Sequence, residues 1–261
     1  MKRLATTLGM LALAAAIAPP AFAVNLFSDG FAYPNGNLVP NGGWANYSGA
    51  NVDIQVAAGR ATGGALLNPQ NDDHRLFAAQ PLTGRTYACF IVNIPAFVGV
   101  PKPIYFAELK DGGAANLVSR VYVVGNPAGG FTFAISHSST SATVGYTAWP
   151  AALSFNTDYT VVINYDPNNH SSTLWVNPAN ELSPSVTDVN AAIAALAVSG
   201  FGLRQSNAAS TLPPAQTPAP GAVDWNWAVD NLGVGTTFDD ACARPTPTTK
   251  TTWGSVKAIY R

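Results

Sequence analysis

Short segments rich in apolar, β-branched and aromatic residues follow one another along this chain, and most of them are bounded by glycine, proline or asparagine. The clearest of them cover residues 87–94, 104–109, 117–124, 131–136, 159–165 and 172–176. The last two flank the turn Asp166-Pro167-Asn168-Asn169 and predict a hairpin. Strand-like segments recurring every ~10–14 residues are typical of a sandwich. We therefore predict an all-β fold of two stacked antiparallel sheets.

Two stretches depart from the strand pattern. Residues 188–198 (DVNAAIAALAV) have a helical composition over two or three turns, and we interpret them as a short helix or a loop at an edge of the sandwich. Residues 210–221 are proline-rich and lack periodicity. Because the strand-like segment 222–234 follows them, we interpret them as a long surface loop inside the domain.

The N-terminus has the order of features of a secretory signal peptide. Lys2 and Arg3 precede an apolar run of ten residues, and Ala21-Phe22-Ala23 is an A-x-A-like cleavage site. A membrane span needs about 20 apolar residues, so we expect no transmembrane anchor. The predicted organisation is a signal peptide (1–23), a sandwich domain (24–240), a Pro/Thr-rich linker (241–252) and a C-terminal tail (253–261). We predict a secreted or cell-surface protein.

The composition excludes several classes of function. Charged residues make up 10% of the chain, and 13 Lys and Arg against 14 Asp and Glu give a net charge of -1. A nucleic-acid-binding protein needs a basic surface, which this balance does not provide. His74, His137 and His170 lie in separate segments, and no zinc motif is present.

Catalytic motifs are also missing from the sequence. No G-x-S-x-G elbow occurs, and the glycine pairs precede no predicted helix. Glycoside hydrolysis needs two facing carboxylates. Glu108 and Glu181 are the glutamates, and Glu108 has Phe106 and Lys110 as its same-face neighbours in an ideal strand. We therefore predict that the protein is not an enzyme.

The cysteines and tryptophans allow alternative interpretations. Cys89 lies in a predicted strand, either as a small buried apolar residue or as a disulfide partner of Cys242 in an oxidising compartment. Trp225 and Trp227 point to one face of a strand and would form a sugar-binding platform if exposed, whereas the alternative is core packing. The further candidate ligand-binding residues are Trp149, Asp224 and Asn226.

An ordered set of short motifs resembles a known family. Residues 29–38 fit the pattern D-x-F-x-Y-x-x-G-x-L, and residues 229–237 read VDNLGVGTT. Together with motifs between them, they resemble secreted bacterial proteins with a concanavalin A-like (laminin-G-like) jelly-roll domain of the lectin and glucanase type, over about residues 25–238. The resemblance implies two stacked antiparallel sheets. The E-x-D-x-E strand of many such glucanases is absent here.

The resemblance also implies a structural calcium ion between the first and last strands. Asp29 and Asp230 match that location, and Gly59 would lend a carbonyl. Calcium takes six to eight oxygen ligands, so these residues would need further oxygens. The alternative is that Asp230 caps a strand end or forms a salt bridge there.

These observations lead to three hypotheses of function. The first is a secreted, non-catalytic module that binds a glycan of the cell surface or matrix. The second is a structural or adhesive surface protein, whose tail (253–261) docks to surface or matrix components; the alternative is that this tail is a frayed terminus. The third, a glycoside hydrolase or polysaccharide lyase, would require an acid pair that the sequence does not indicate.

Overall fold

A computed structural model describes residues 24–50, 52–66, 70–97, 103–126, 129–137, 145–207 and 225–243. These residues form two sheets packed face to face, which confirms the predicted all-β sandwich, and the arrangement is consistent with a jelly roll. The segments predicted as a signal peptide (1–23), a proline-rich loop (210–221) and a C-terminal tail (253–261) lie outside the described residues. Within the described residues, no helix is both long and apolar enough to cross a membrane.

One sheet has ten strands. They are β1 (Asn25–Asp29), β2 (Gly36–Asn37), β4 (Gln55–Ala57), β5 (Arg60–Leu66), β7 (Thr86–Asn93), β12 (Asp158–Asp166), β13 (Ser171–Val176), β14 (Val186–Val189), β16 (Ser206–Asn207) and β17 (Trp225–Gly235). The order is β14-β13-β12-β7-β17-β5-β4-β2, with β1 paired to β17 and β16 to β5. The predicted hairpin is confirmed as β12–β13, in register from Val161↔Val176 to Asp166↔Ser171.

The other sheet has seven strands. They are β3 (Trp44–Ser48), β6 (Asp72–Leu76), β8 (Ile104–Lys110), β9 (Leu117–Gly125), β10 (Phe131–Ser136), β11 (Thr147–Ala148) and β15 (Gly200–Leu203). Their order is β11-β10-β9-β8-β15-β6-β3. One 3₁₀ turn (Asn41–Gly43) precedes β3, and one helix, α1 (Phe238–Cys242), follows β17.

The core lies between the inner faces of the two sheets. Phe90 of the ten-stranded sheet contacts Phe106 and Phe201 of the seven-stranded sheet, with ring centroids 6.2 and 5.8 Å apart. All three rings are fully buried. Edge-to-face contacts of this kind add to the free energy gained from apolar burial, so this layer holds the sheets together.

The segment predicted as a short helix or a loop is a loop. β14 ends at Val189, and residues 190–199 contain a turn and irregular backbone. Asn190 stabilises the turn, because its side chain accepts a hydrogen bond from the backbone N–H of Ala192 and its carbonyl accepts one from Ile193. Such local side-chain bonds compete with helix formation.

Helix α1 extends the domain slightly beyond the predicted boundary at residue 240. The Thr237 hydroxyl caps the helix by accepting a hydrogen bond from the backbone N–H of Asp240. Phe238 packs against Trp175 on the outer face of the ten-stranded sheet. Cys242 forms a disulfide with Cys89 of β7. Of the two interpretations of Cys89, the disulfide is therefore the one found in the structure.

Removing this disulfide should destabilise the protein. The bond joins cysteines 153 positions apart, and a cross-link that closes a long loop restricts the unfolded chain. We expect Cys242→Ser to lower the free energy of unfolding by about 2–4 kcal/mol, measured by urea denaturation under oxidising conditions. Cys89→Ser and the reduced wild-type protein are the controls and should show the same loss. A variant as stable as the oxidised wild type would contradict the pairing.

Candidate functional site

The tryptophan pair of β17 lies in the core. Trp225 and Trp227 share one face of the strand, as predicted, but that face is the inner one, and the side chains are 2% and 1% exposed. Their rings contact Phe106 of the opposite sheet at centroid distances of 6.5 and 6.1 Å. The pair therefore packs as core and offers no exposed platform. Asn226 is exposed on the other face, and Trp149 is half-buried at the rim of the core.

Asp224 lies outside the described residues.

The surroundings of Asp29 do not fit a calcium ion. Its carboxylate accepts hydrogen bonds from the backbone N–H of Phe31, the Tyr33 hydroxyl, the Trp44 indole and the Arg75 guanidinium. A calcium ligand needs free oxygen lone pairs, and here donors occupy them.

The other two predicted calcium ligands, Asp230 and Gly59, have other structural roles. Asp230 accepts a hydrogen bond from the backbone N–H of Asn231, and Gly59 forms the turn between β4 and β5. Among the described residues, no group of three or more His, Cys, Asp or Glu side chains is placed to hold a metal ion.

A dense polar cluster instead lies on the outer face of the seven-stranded sheet, which points away from the core. Alternate residues on the same strands, such as Leu109 and Val121, belong to the core. Because side chains alternate across a strand, the residues between them point outward. We call this cluster the polar face; it consists of Tyr47, His74, Tyr105, Glu108, Lys110, Arg120, Tyr122 and Arg204.

Irregular pairing between β8 and β9 sets which side chains reach the polar face. The register shifts between Tyr105 and Ala107 and again between Ala107 and Leu109. At the second shift, Ser119 adopts a positive φ of 49°, typical of a β-bulge, and Arg120 follows it. The first shift turns Phe106 into the core, so the prediction that Phe106 shares the face of Glu108 is wrong, whereas Lys110 does share it.

Two glycines of β15 make room for the long side chains of β8. Gly202 pairs with Glu108, and Gly200 pairs with Lys110. A Cβ atom on Gly202 would overlap with Oε1 of Glu108 and lie 3.3 Å from the Lys110 side chain. The side chains of β8 therefore lie across β15 toward β6.

Glu108 and Lys110 meet the aromatic residues of β3 and β6. The Tyr47 hydroxyl donates a hydrogen bond to Oε1 of Glu108, while Oε2 has no hydrogen-bond partner among the described residues. Nζ of Lys110 lies 3.0 Å from Nδ1 of His74 and 4.3 Å from the Tyr47 ring centroid. The Tyr47 and His74 rings stack at 5.2 Å.

Guanidinium groups surround Tyr105 on the other side of the polar face. The Arg120 and Arg204 guanidinium carbons lie 4.9 and 4.3 Å from the centroid of its ring. Arg204 also lies 3.8 Å from the Asp72 carboxylate. Tyr122 packs edge-on against Tyr105 at 5.5 Å, which extends the aromatic surface. Cation–π contacts of this kind hold the guanidinium groups in fixed positions.

Burial changes the pKa values of the titratable groups in and beside the polar face. Burial raises the pKa of Glu108 to about 7, and the negative charge of Asp72 adds to the rise, while the Tyr47 hydrogen bond opposes it. Burial also raises the pKa of Asp72 to about 6, against the opposing charge of Arg204. Burial and the charge of Lys110 lower the pKa of His74 to about 4, so its imidazole is neutral near neutral pH.

The polar face therefore combines buried groups with shifted pKa values and three partly exposed side chains, which are Tyr47, Tyr105 and Arg204. Guanidinium groups pair with carboxylates in two-point geometry, and tyrosine rings pack against sugar rings. In the sequence, Glu108 has no acidic neighbour on its own strand. In the structure, the buried carboxyl of Asp72 lies close enough to raise the pKa of Glu108.

Sequence reasoning missed most of this cluster because its members come from four strands and from Arg204, which follows β15. The available signal was local: Tyr105, Glu108 and Lys110 interrupt one apolar strand, and Arg120 and Tyr122 interrupt the next. Charged residues in strands that pack on a core on one side indicate a functional outer face. Nothing in the sequence, however, indicated which strands would be neighbours.

Comparisons with known proteins identify the fold. No protein-family model and no curated protein matches the sequence. The solved structure of alginate lyase Aly36B is 11% identical, with a TM-score of 0.51 over 81% of this chain and 95% of that chain. The CBM2 module of the Lactobacillus casei BL23 phage J-1 evolved Dit is 10% identical, with a TM-score of 0.49 over 82% and 96%.

An endo-β-1,4-glucuronan lyase from the fungus Trichoderma reesei is 12% identical, with a TM-score of 0.48 over 84% of this chain and 98% of that chain. At these identities, the likeness shows the fold alone. The concanavalin A-like assignment stays a prediction.

The ionisation of Glu108 should make stability depend on pH. Its pKa is about 7 in the folded protein against an ordinary value of 4.5, so the folded protein keeps a proton that the unfolded chain releases. Its contribution is present at low pH and is lost as pH rises through about 7. We expect the thermal midpoint of wild type to fall more than that of Glu108→Gln between about pH 5 and about pH 8.

Glu181→Gln is the matched control for this experiment, because Glu181 is exposed and is the other glutamate of the sequence. This variant should keep the pH dependence of wild type. Equal pH dependence in wild type and Glu108→Gln would contradict the buried ionisation.

Proposed function

We propose that this protein binds an acidic polysaccharide on the polar face, as a secreted carbohydrate-binding protein. The carrying observation is the partly exposed Tyr105 ring, whose centroid lies 4.9 and 4.3 Å from the guanidinium carbons of Arg120 and Arg204. Cations beside aromatic rings suit a ligand that combines carboxylates with sugar rings.

The charge balance supports an anionic ligand. Arg204 lies 3.8 Å from the carboxylate of Asp72, and the raised pKa values of Asp72 and Glu108 reduce the negative charge of this region near neutral pH. A uronic acid carboxylate could approach the partly exposed guanidinium of Arg204 beside the Tyr105 ring. This refines the hypothesis of a glycan-binding module and moves its site from β17 to the opposite sheet.

Secretion and the role of the tail (253–261) stay predictions from the sequence. No observation on the described residues favours the structural or adhesive hypothesis. The fold likeness to alginate lyase Aly36B supports the sandwich architecture and leaves the activity open.

Loss of a guanidinium should weaken ligand binding. We expect Arg204→Ala to bind alginate or polygalacturonate about tenfold or more weakly than wild type, measured by titration calorimetry, because the carboxylates lose a cationic partner. Arg60→Ala is the matched control, since Arg60 pairs with Asp158 at the surface of the other sheet. Dextran is the neutral comparison, and Arg204→Ala should leave its binding unchanged, because a neutral polysaccharide has no carboxylate to pair with the guanidinium.

Three results would contradict this proposal. They are equal affinity in wild type and Arg204→Ala, equal loss in Arg60→Ala, and absence of binding to any acidic polysaccharide tested.

Filling the space above Gly202 should have a similar effect. Gly202→Ala places a methyl group against the Glu108 carboxylate, which must move from its contact with Tyr47. We expect affinity for the acidic polysaccharide to fall about tenfold while the fold is retained, because a flexible side chain absorbs the overlap. Gly145→Ala is the control, because no atom of the described residues lies within 4 Å of the added methyl. An unchanged affinity in Gly202→Ala would show that the ligand does not bind near Gly202 and Glu108, and it would contradict the proposed site.

A second candidate function is cleavage of the bound polysaccharide by β-elimination. The observation that favours it is the contact between groups that carry protons, because Nδ1 of His74 lies 3.0 Å from Nζ of Lys110 and its ring stacks on Tyr47. In such a reaction a base removes the proton beside the uronate carboxylate, the bond to the leaving oxygen breaks as that oxygen takes up a proton, and a carbon–carbon double bond forms. A cation stabilises the negative charge that develops on the carboxylate.

The two candidates give different results with the same substrate. Elimination produces an unsaturated sugar that absorbs ultraviolet light, and His74→Ala should abolish this signal while binding persists. If wild type binds the polysaccharide without any increase in absorbance, the lyase hypothesis is wrong and the binding hypothesis stands.

A further inference from the structure

A cleft of about 380 Å³ opens on the other side of the molecule, on the outer face of the ten-stranded sheet. Its floor is formed by β12, β13 and β14, and one wall by the loop that contains Glu181 and Leu182. Helix α1 covers the neighbouring part of the same face. The cleft is therefore separate from the polar face.

A network of hydrogen bonds fixes the rim of the cleft. Arg85 contacts the Asp166 carboxylate at 2.8 Å and the Glu181 carboxylate at 3.4 Å. Tyr87 donates a hydrogen bond of 2.6 Å to the Glu181 carboxylate, and the Trp175 indole donates one of 3.2 Å to the Glu181 carbonyl. Because two carboxylates surround one guanidinium, the rim has no surplus positive charge to attract an anion.

The floor of the cleft carries hydroxyl and amide groups. Thr173 and Thr187 lie across from each other on β13 and β14, with their hydroxyl oxygens 3.0 Å apart. Between Thr173 and Tyr87 lies Asn164, which is 4% exposed. Its Oδ1 has no hydrogen-bond partner among the described residues.

A buried amide oxygen without a partner is unfavourable, and a ligand that supplies a donor would remove this cost. The terminal torsion of asparagine is broad, so a small rotation presents the oxygen to the cleft.

The groups around the cleft favour a neutral ligand with many hydroxyls. Hydroxyls and an amide offer both donors and acceptors. Leu182, which is 95% exposed on the wall, offers an apolar contact. We propose that this cleft is a second carbohydrate site, which takes a neutral sugar and works independently of the polar face.

Nuclear magnetic resonance titration can test the proposal. The probes are glucose, galactose, mannose and N-acetylglucosamine, each added to the ¹⁵N-labelled full chain. At least one should cause saturable shifts of the Trp175 indole signal, assigned with Trp175→Phe, and of the Thr187 amide. Thr187→Trp, which fills the cleft from an exposed strand position, should weaken binding about tenfold or more.

Thr62→Trp is the matched control, because Thr62 lies on the outer face of the same sheet but on β5, away from the cleft. Asn164→Leu is a second variant; it removes the unpartnered amide, keeps its approximate shape and should also weaken binding. Thermal melting checks that each variant is folded.

Several results would overturn the proposal. They are the absence of saturable shifts with all four sugars, the same affinity in folded Thr187→Trp as in wild type, or an equal loss in Thr62→Trp. Competition by alginate would instead assign the shifts to the polar face, so failure here is distinguishable from failure of the first proposal.

Discussion

The packing of the two inner sheet faces decides where every other group of this protein lies. Phe90, Phe106 and Phe201 meet between the sheets, and each strand must send alternate side chains into this layer. Charged residues in the strands are therefore left with the outer faces. The polar face and the cleft of the ten-stranded sheet follow from this constraint, because polar side chains that cannot enter the core lie together on the outer faces.

Alternation explains which parts of the structure could be predicted. The strands, the β12–β13 hairpin and the two-sheet class follow from local pattern and turn residues. The inward orientation of Trp225 and Trp227 does not, because a shared face can be the inner or the outer one. The orientation of Phe106 depends on a register irregularity, and the pairing of Cys89 with Cys242 joins residues far apart in sequence.

The polar face could not be assembled from the sequence for the same reason. Tyr47, His74, Glu108, Arg120 and Arg204 come from separate regions of the chain and meet only through the strand order β9-β8-β15-β6-β3. Their electrostatic properties are collective as well. Burial in the cluster raises the pKa of Glu108 and lowers that of His74, whereas each residue taken alone would have its ordinary pKa.

Helix α1 determines where the described chain leaves the sandwich. Its disulfide attaches Cys242 to β7, on the outer surface of the ten-stranded sheet, and the described residues end one position later at Ala243. The polar face lies on the opposite side of the molecule. A protein immobilised on a resin through this end of the described chain would be attached on the side of the ten-stranded sheet. The polar face would then point away from the resin and remain accessible to ligands in solution.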